Sequence, residues 1–178
     1  MFIVNMLKHL VVIGAGAAGL PVASQVRRKD KEIEITVITA REYFAYSPCG
    51  IPFVISGMIN SFETLILRDM KYYEEMNIKI LNKTTVDKID LDNCEIFFGN
   101  EKLKYDILVV ASGAKPIIPP VPGIDLDGVY FLNSLEDALK LSNSLKNTKS
   151  PTIIGAGAIG LEMAHAFLKK RSEERRVG

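Results

Sequence analysis

One pattern occurs twice in this chain: a short apolar run ends in Gly-x-Gly-x-x-Gly and opens into an alanine-rich segment. The first copy runs from Leu10-Val-Val-Ile13 through Gly14-Ala-Gly16-Ala-Ala-Gly19 to Arg28. The second runs from Thr152-Ile-Ile154 through Gly155-Ala-Gly157-Ala-Ile-Gly160 into a further helical segment. A uniformly apolar run of that length predicts a strand buried on both faces. Glu34-Ile-Thr-Val-Ile38 supplies a second β-branched strand, so the first copy is the βαβ start of a doubly wound parallel sheet. Pro21 falls near the first turn of the intervening helix, where a missing N–H costs least.

A glycine loop of this kind works through geometry. The first glycine permits the tight turn, the second lets a pyrophosphate approach the backbone, and the third packs helix on strand. Free N–H groups and the partial positive charge of the helix N-terminus then face the anion. A glycine turn without a ligand is the competing reading, but each copy follows an apolar strand and opens a helix. An acid about 20 residues past the glycines ordinarily holds the ribose. Here the second strand ends Val37-Ile38-Thr39-Ala40-Arg41-Glu42, so Thr39 fills that slot and Glu42 lies farther round the turn. A threonine can donate one hydrogen bond but cannot clamp two hydroxyls. Dinucleotide binding is expected, with weaker anchoring of the adenosine.

Composition narrows the function classes. With 178 residues, 48% hydrophobic and 24% charged, the chain can bury a core and is neither disordered nor fibrous. A net charge of +1 gives no electrostatic basis for nucleic-acid or anionic-membrane binding. Two cysteines, Cys49 and Cys94, and two histidines, His9 and His165, make a disulfide scaffold or a metal site improbable. The apolar run from Leu10 to Ala23 is shorter than the roughly 18 residues of a membrane span and carries Gly14, Gly16, Gly19 and Pro21. No basic residue precedes it between Met1 and Asn5, so a cytoplasmic protein without an export signal is expected.

Between the two copies, residues 41–57 read as loop, and Phe62 to Met76 predicts a helix closed by Asn77. Lys79 to Phe98 predicts short strands, and Tyr105-Asp-Ile-Leu-Val-Val110 a buried strand ended by Ala111-Ser112-Gly113. The proline-rich stretch from Lys115 to Gly128 cannot be regular structure. Ser134 caps a helix to Leu145 with Glu136 and Asp137 in its first turn. In Tyr46-Ser47-Pro48-Cys49-Gly50-Ile51-Pro52, Ser47 makes a good N-cap and Pro48 a good first helical residue. Cys49 then lies in a first turn, where a helix dipole favours the thiolate, and Pro52 argues against helix much beyond it. A buried structural cysteine is the competing reading. The cap, the adjacent glycine and the position just after a nucleotide-binding βαβ unit favour a redox thiol. With no Cys-x-x-Cys, its oxidised form would be a sulfenic acid or a mixed disulfide. Cys94 has no such setting and reads as structural.

Together, Gly14-x-Gly16-x-x-Gly19, the Ser-Pro-Cys-Gly-Ile-Pro segment, Tyr105-Asp106 leading to Ala111-Ser112-Gly113-Ala114-Lys115-Pro116, and Ile154-Gly155 to Gly160-Leu161-Glu162 resemble the pyridine nucleotide–disulfide oxidoreductases over residues 7 to about 170. The single cysteine is similar to the branch containing coenzyme A-disulfide reductases, NADH oxidases and persulfide reductases. The resemblance implies an α/β fold: a doubly wound FAD-binding domain with a small β-meander, then the start of a second, NAD-binding Rossmann-like domain. It implies FAD on the first loop, at Gly14, Ala15, Gly16, Ala17, Ala18 and Gly19, with Thr39, Ala40 and Arg41 near the adenosine and Val86 at the adenine. Ala111, Ser112 and Gly113 would lie against the flavin, and Cys49 would be the catalytic thiol facing it. Gly155, Gly157, Ile159, Gly160 and Glu162 would serve NAD(P)H, the electron donor. Gln25 and Arg28 resemble positions that contact coenzyme A, although a solvated helix C-terminus explains Arg27, Arg28 and Lys29 equally well. Ala45 and Pro48 stand where some coenzyme A enzymes carry Ser and Asn.

The expected organisation is an FAD-binding domain over 1–114, with the cysteine segment at 45–52, and a crossing over 115–133. The beginning of an NAD(P)-binding domain follows over 134–170, with a frayed or non-native tail over 171–178. The chain is thus expected to be truncated relative to a parent homodimer acting on a small disulfide, a persulfide or oxygen. Two alternatives stay open: a fragment that holds FAD without turnover, and an NAD-dependent dehydrogenase whose cysteine is incidental.

Overall fold

The computed structural model describes residues 8–176, with side chains through residue 170. In chain order the elements are β1 (His9–Ile13), α1 (Gly19–Lys29), β2 (Glu34–Ile38), α2 (Ile51–Ile55), α3 (Met70–Glu75), β3 (Lys79–Leu81), β4 (Lys88–Asp90), β5 (Glu95–Phe98), β6 (Glu101–Lys104), β7 (Ile107–Val110), α4 (Leu135–Leu145) and α5 (Ala158–Arg176). Two compact units divide them. One joins the described residues up to Tyr46 with Arg68–Ala114, the other joins Ser47–Leu67 with the residues from Lys115 onward. The cysteine segment therefore groups with residues 115 and beyond, apart from the first glycine loop.

In the first unit, β1 lies between β2 and β7, all parallel, and β3 extends the sheet in the order β3-β2-β1-β7. Leu10 stands opposite Ile35 and Ile107, and Ile13 opposite Ile38 and Val110. Alternation along the strands sends side chains to two cores. Leu10, Val12, Ile35 and Val37 meet Leu20 and Ala23 of α1, Tyr73 of α3, and Ile33 and Ile78. Val11 and Ile38 meet Ile96, Phe98 and Tyr105 on the opposite face. Helices thus cover one face, and the antiparallel β4-β5-β6 meander covers the other. That double cover is why Leu10 to Ile13 of β1 reads as an uninterrupted apolar run, and why Thr36, the one polar residue inside β2, is buried with its hydroxyl bonded to His9 at 2.9 Å. Each fully buried valine or isoleucine contributes about 1.5–3 kcal/mol.

A charged residue closes the bottom of this unit. Gly19, Ala23 and Arg27 follow one another at four-residue spacing on the buried face of α1. Arg27 is only 6% exposed, and its guanidinium donates to the carbonyls of Asp30 (3.3 Å), Lys31 (2.7 Å), Ile33 (2.7 Å) and Asn77 (2.9 Å). It pins the α1–β2 turn to the turn before β3, so the solvated-helix-end reading is corrected for Arg27; Gln25, Arg28 and Lys29 are exposed. Lysine cannot span four acceptors with one ammonium. Arg27→Lys is expected to cost about 2–3 kcal/mol, read as a lower urea midpoint at unchanged m-value. A midpoint equal to wild type would show that the turn holds without the fork.

In the second unit, Ser47, Pro48, Cys49 and Gly50 open a segment that continues as α2, which packs against α4 and α5. Ile51, Ile55, Leu135, Ala138, Met163 and Ala166 are buried there. Ser134 caps α4 as expected, its hydroxyl accepting the Asp137 N–H at 3.1 Å.

Five further expectations are corrected. The strand ending at Val110 is not buried: β7 lies at the edge of its sheet, and Ile107 and Val110 are exposed. The single helix over 62–76 is a 3-10 turn at Phe62–Leu65 and then α3, because Ile66 is extended and Asp69 starts a new helix by accepting the Tyr72 N–H at 3.0 Å. Pro52 does not stop the chain from being helical: it sits second in α2, where no hydrogen bond is lost. Ser47 holds the cap position of the Pro48–Gly50 3-10 turn, but its side chain makes no capping bond. Thr152–Ile154 forms no strand, because no neighbouring strand among the described residues offers it a ladder. Helix α5 continues through Arg176, beyond the last apolar position at Leu168.

Candidate functional site

The first glycine loop lies at the carboxyl ends of the parallel strands. There β1 is flanked by β2 on one side and β7 on the other, the crevice where open α/β sheets take ligands. Three hydrogen bonds fix this edge. Gly14 N–H donates to the Ile38 carbonyl at 2.7 Å, Ala111 N–H to Ile13 at 2.7 Å, and Thr39 N–H to Leu81 at 2.9 Å. The ends of β1, β2, β3 and β7 are therefore held together. Gly14 to Gly19, Thr39 to Arg41, and Ala111 to Gly113 all gather at this edge of one unit. Val86, half-buried, packs from the β3–β4 connection against the meander-side core.

The three glycines have distinct physical reasons. Gly14 has φ +111°, and a Cβ there would overlap the Ala111 carbonyl. Gly19 begins α1, and a Cβ there would overlap the Gly14 carbonyl and press on the Val12 side chain. Gly16 differs: a Cβ would meet nothing within 4 Å. Packing therefore does not require glycine at 16, and the space beside its backbone is open. Ala17 and Ala18 are exposed, Ala15 is buried, and α1 has no acid in its first turn and no side chain capping it. The unused N–H groups of that turn and the macrodipole thus face the opening. The residues fit a pyrophosphate.

Thr39 is 7% exposed, and its hydroxyl accepts the Arg41 N–H at 3.3 Å. Ala40 and Arg41 are exposed, and Glu42 pairs with Lys83 at 3.0 Å. Ala111 is half-buried, while Ser112 and Gly113 are exposed, with Gly113 at φ +71°.

The second loop repeats the first locally. Gly155 has φ +109°, a Cβ on Gly160 would overlap the Gly155 carbonyl, and Gly157 has open space. Leu161 N–H donates to Gly157 at 3.0 Å, as Leu20 donates to Gly16 at 3.3 Å. Ile159 and Glu162 are exposed.

Cys49 is the second residue of the Pro48–Gly50 turn and is exposed. Ser47 N–H donates to Leu65 at 2.9 Å, and a Cβ on Gly50 would overlap the Leu65 side chain, so the neighbouring 3-10 turn fixes the backbone on both sides of the thiol. Cys94 is also exposed, at φ +53° in the turn before β5. Among the described residues no cluster of His, Cys, Asp or Glu could hold a metal, and no helix is long and apolar enough to cross a membrane. The role of Arg27 as an anchor goes beyond what its residue type predicts. The four-residue spacing from Ala23 was the available signal.

Comparison with known proteins identifies the family and the fold. The family model described as pyridine nucleotide-disulphide oxidoreductase matches residues 8–177. An NADH oxidase of Methanocaldococcus jannaschii is 46% identical over 165 residues, 88% of this chain and 37% of that protein. An NAD(P)H coenzyme A polysulfide/persulfide reductase of Pyrococcus horikoshii is 34% identical over 167 residues, 92% of this chain and 38% of that protein. The solved NAD-dependent persulfide reductase from A. fulgidus superposes with a TM-score of 0.88 at 37% identity, covering 92% of this chain and 32% of that one. The chain spans less than two fifths of the length of these relatives.

Proposed function

The chain belongs to the pyridine nucleotide-disulphide oxidoreductase family, whose members here are FAD-dependent NAD(P)H oxidoreductases, and from that membership we propose that it is the FAD-binding part, with the beginning of the NAD(P)H-binding part, of such an enzyme acting through Cys49. The observation that carries the reading is the open space at Gly16 between two glycines that packing makes obligatory. The backbone N–H groups from Gly16 to Gly19 hold the pyrophosphate, with Gly14 and Ala15 shaping the loop. Thr39, Ala40, Arg41 and Val86 serve the adenosine end, and Ala111, Ser112 and Gly113 lie along the flavin. Gly155, Gly157, Ile159, Gly160 and Glu162 serve NAD(P)H.

Bound at this loop, FAD would supply two-electron redox chemistry between NAD(P)H and the thiol. Cys49 does the rest. Its thiolate attacks one sulfur of a small disulfide or persulfide, the other sulfur leaves as a thiolate or sulfide, and a disulfide linking Cys49 to the bound group remains for reduction. Gln25 and Arg28, exposed on α1, are candidates to contact a coenzyme A moiety. Two kinds of relative, a persulfide reductase and an NADH oxidase, support sulfur–sulfur bonds and oxygen as acceptors. The complete enzyme is proposed to be a cytoplasmic homodimer.

The visible spectrum of the purified chain tests the cofactor reading. Flavin bands near one per chain, or their appearance on adding FAD, are expected. A folded, colourless chain that takes up no FAD would refute it.

A further inference from the structure

Resting on the reading of the first loop as a dinucleotide cradle, we infer that this site holds the adenosine ribose without a carboxylate, and that Thr39 is the residue that sets its weak recognition of the 2′-hydroxyl. Ile38 accepts the Gly14 N–H, so residue 39 is the first position past β2 beside the loop. The backbone there is held on both sides: Thr39 N–H donates to Leu81 at 2.9 Å, and Thr84 N–H donates to the Thr39 carbonyl at 3.0 Å. Neither Ala40 nor Arg41 can therefore be shifted into its place.

The Thr39 hydroxyl already accepts the Arg41 N–H, which leaves it one hydrogen to donate. A ribose diol offers two O–H donors. A carboxylate accepts both with charge assistance, and a threonine hydroxyl at most returns one neutral bond. The next acid along the chain, Glu42, is drawn to Lys83 at 3.0 Å, and the Lys83 N–H also donates to the Arg41 carbonyl at 3.2 Å. Glu42 is thus already paired at the turn that follows β3. Arg41, the exposed residue between them, brings positive charge. Affinity then comes from the pyrophosphate cradle, and the site tolerates loss or modification of the 2′-hydroxyl.

The test uses the full chain with ADP and 2′-deoxy-ADP as probes, read by direct calorimetry and by competition against FAD. The two probes are expected to bind within about threefold of each other, less than one charge-assisted hydrogen bond is worth. Thr39→Glu is expected to bind ADP about tenfold tighter and to discriminate against 2′-deoxy-ADP by a similar factor. Glu42→Gln should change neither affinity. The inference is overturned if the wild-type chain loses about tenfold or more with 2′-deoxy-ADP, or if Glu42→Gln weakens ADP by that factor. Should Thr39→Glu not fold, the wild-type ratio and Glu42→Gln decide the matter. If FAD and ADP both fail to bind the folded chain, the cradle reading falls, and this inference with it.

Discussion

Gly16→Ala is expected to leave the fold at wild-type stability and to abolish flavin binding, while Gly14→Ala and Gly19→Ala disrupt the fold itself. The contrast follows from what a methyl group would meet. At Gly16 it meets nothing within 4 Å, so the cost to folding is within about 0.5 kcal/mol. The same methyl fills the space a pyrophosphate needs, and FAD affinity should fall about 100-fold or more, equivalent to about 3 kcal/mol. At Gly14 the methyl overlaps the Ala111 carbonyl in a backbone already at φ +111°, where a side chain is strained in any case. At Gly19 it overlaps the Gly14 carbonyl. Each of these two should cost about 3 kcal/mol or more, because backbone has to move. Urea unfolding and FAD titration on the three variants measure both quantities. Undiminished FAD binding by Gly16→Ala would sink the assignment of the cradle.

The second large effect is at the thiol. In the complete oxidoreductase, Cys49→Ser is expected to lower NAD(P)H-driven reduction of a coenzyme A disulfide or persulfide at least about a thousandfold, as when a covalent nucleophile is removed. Cys94→Ser is expected to have no effect. Both cysteines are exposed, so exposure alone does not separate them. What separates them is the setting: Cys49 sits in a turn whose backbone is buttressed by Leu65, Cys94 in a hairpin turn before β5. Equal losses in the two variants, or turnover surviving in Cys49→Ser, would remove the thiol from the mechanism. Survival with oxygen alone as acceptor would restrict Cys49 to sulfur substrates.

Much of the site could be read from the sequence because its determinants are local. The glycine spacing, the missing acid at Thr39 and the Ala111-Ser112-Gly113 strand end are all visible as residue types at set distances. Arg27 was legible only in part. Its four-residue spacing from Ala23 places it on the buried face, but its carbonyl partners include Asn77, which is remote in sequence. The helix expected over 62–76 failed for a competing local reason, since Asp69 is a better start signal than an interior residue. The extension of α2 past Pro52 turned on where the helix began, which residue type alone does not reveal.

The sequence by itself determined the two glycine turns. Gly14 and Gly155 reach φ +111° and +109°, and Gly19 and Gly160 each sit hard against the carbonyl of the glycine that opens their loop, although the loops belong to different units. Steric limits on φ and hydrogen bonds a few residues apart suffice for such turns, so they form wherever the glycines recur. Strands are different, because every hydrogen bond of a parallel strand goes to a neighbour far away in the chain. Leu10 to Ile13 has β2 and β7 beside it and is a strand, whereas Thr152 to Ile154 has the same kind of sequence but no neighbouring strand among the described residues, and is not. Only the tertiary structure decided that difference.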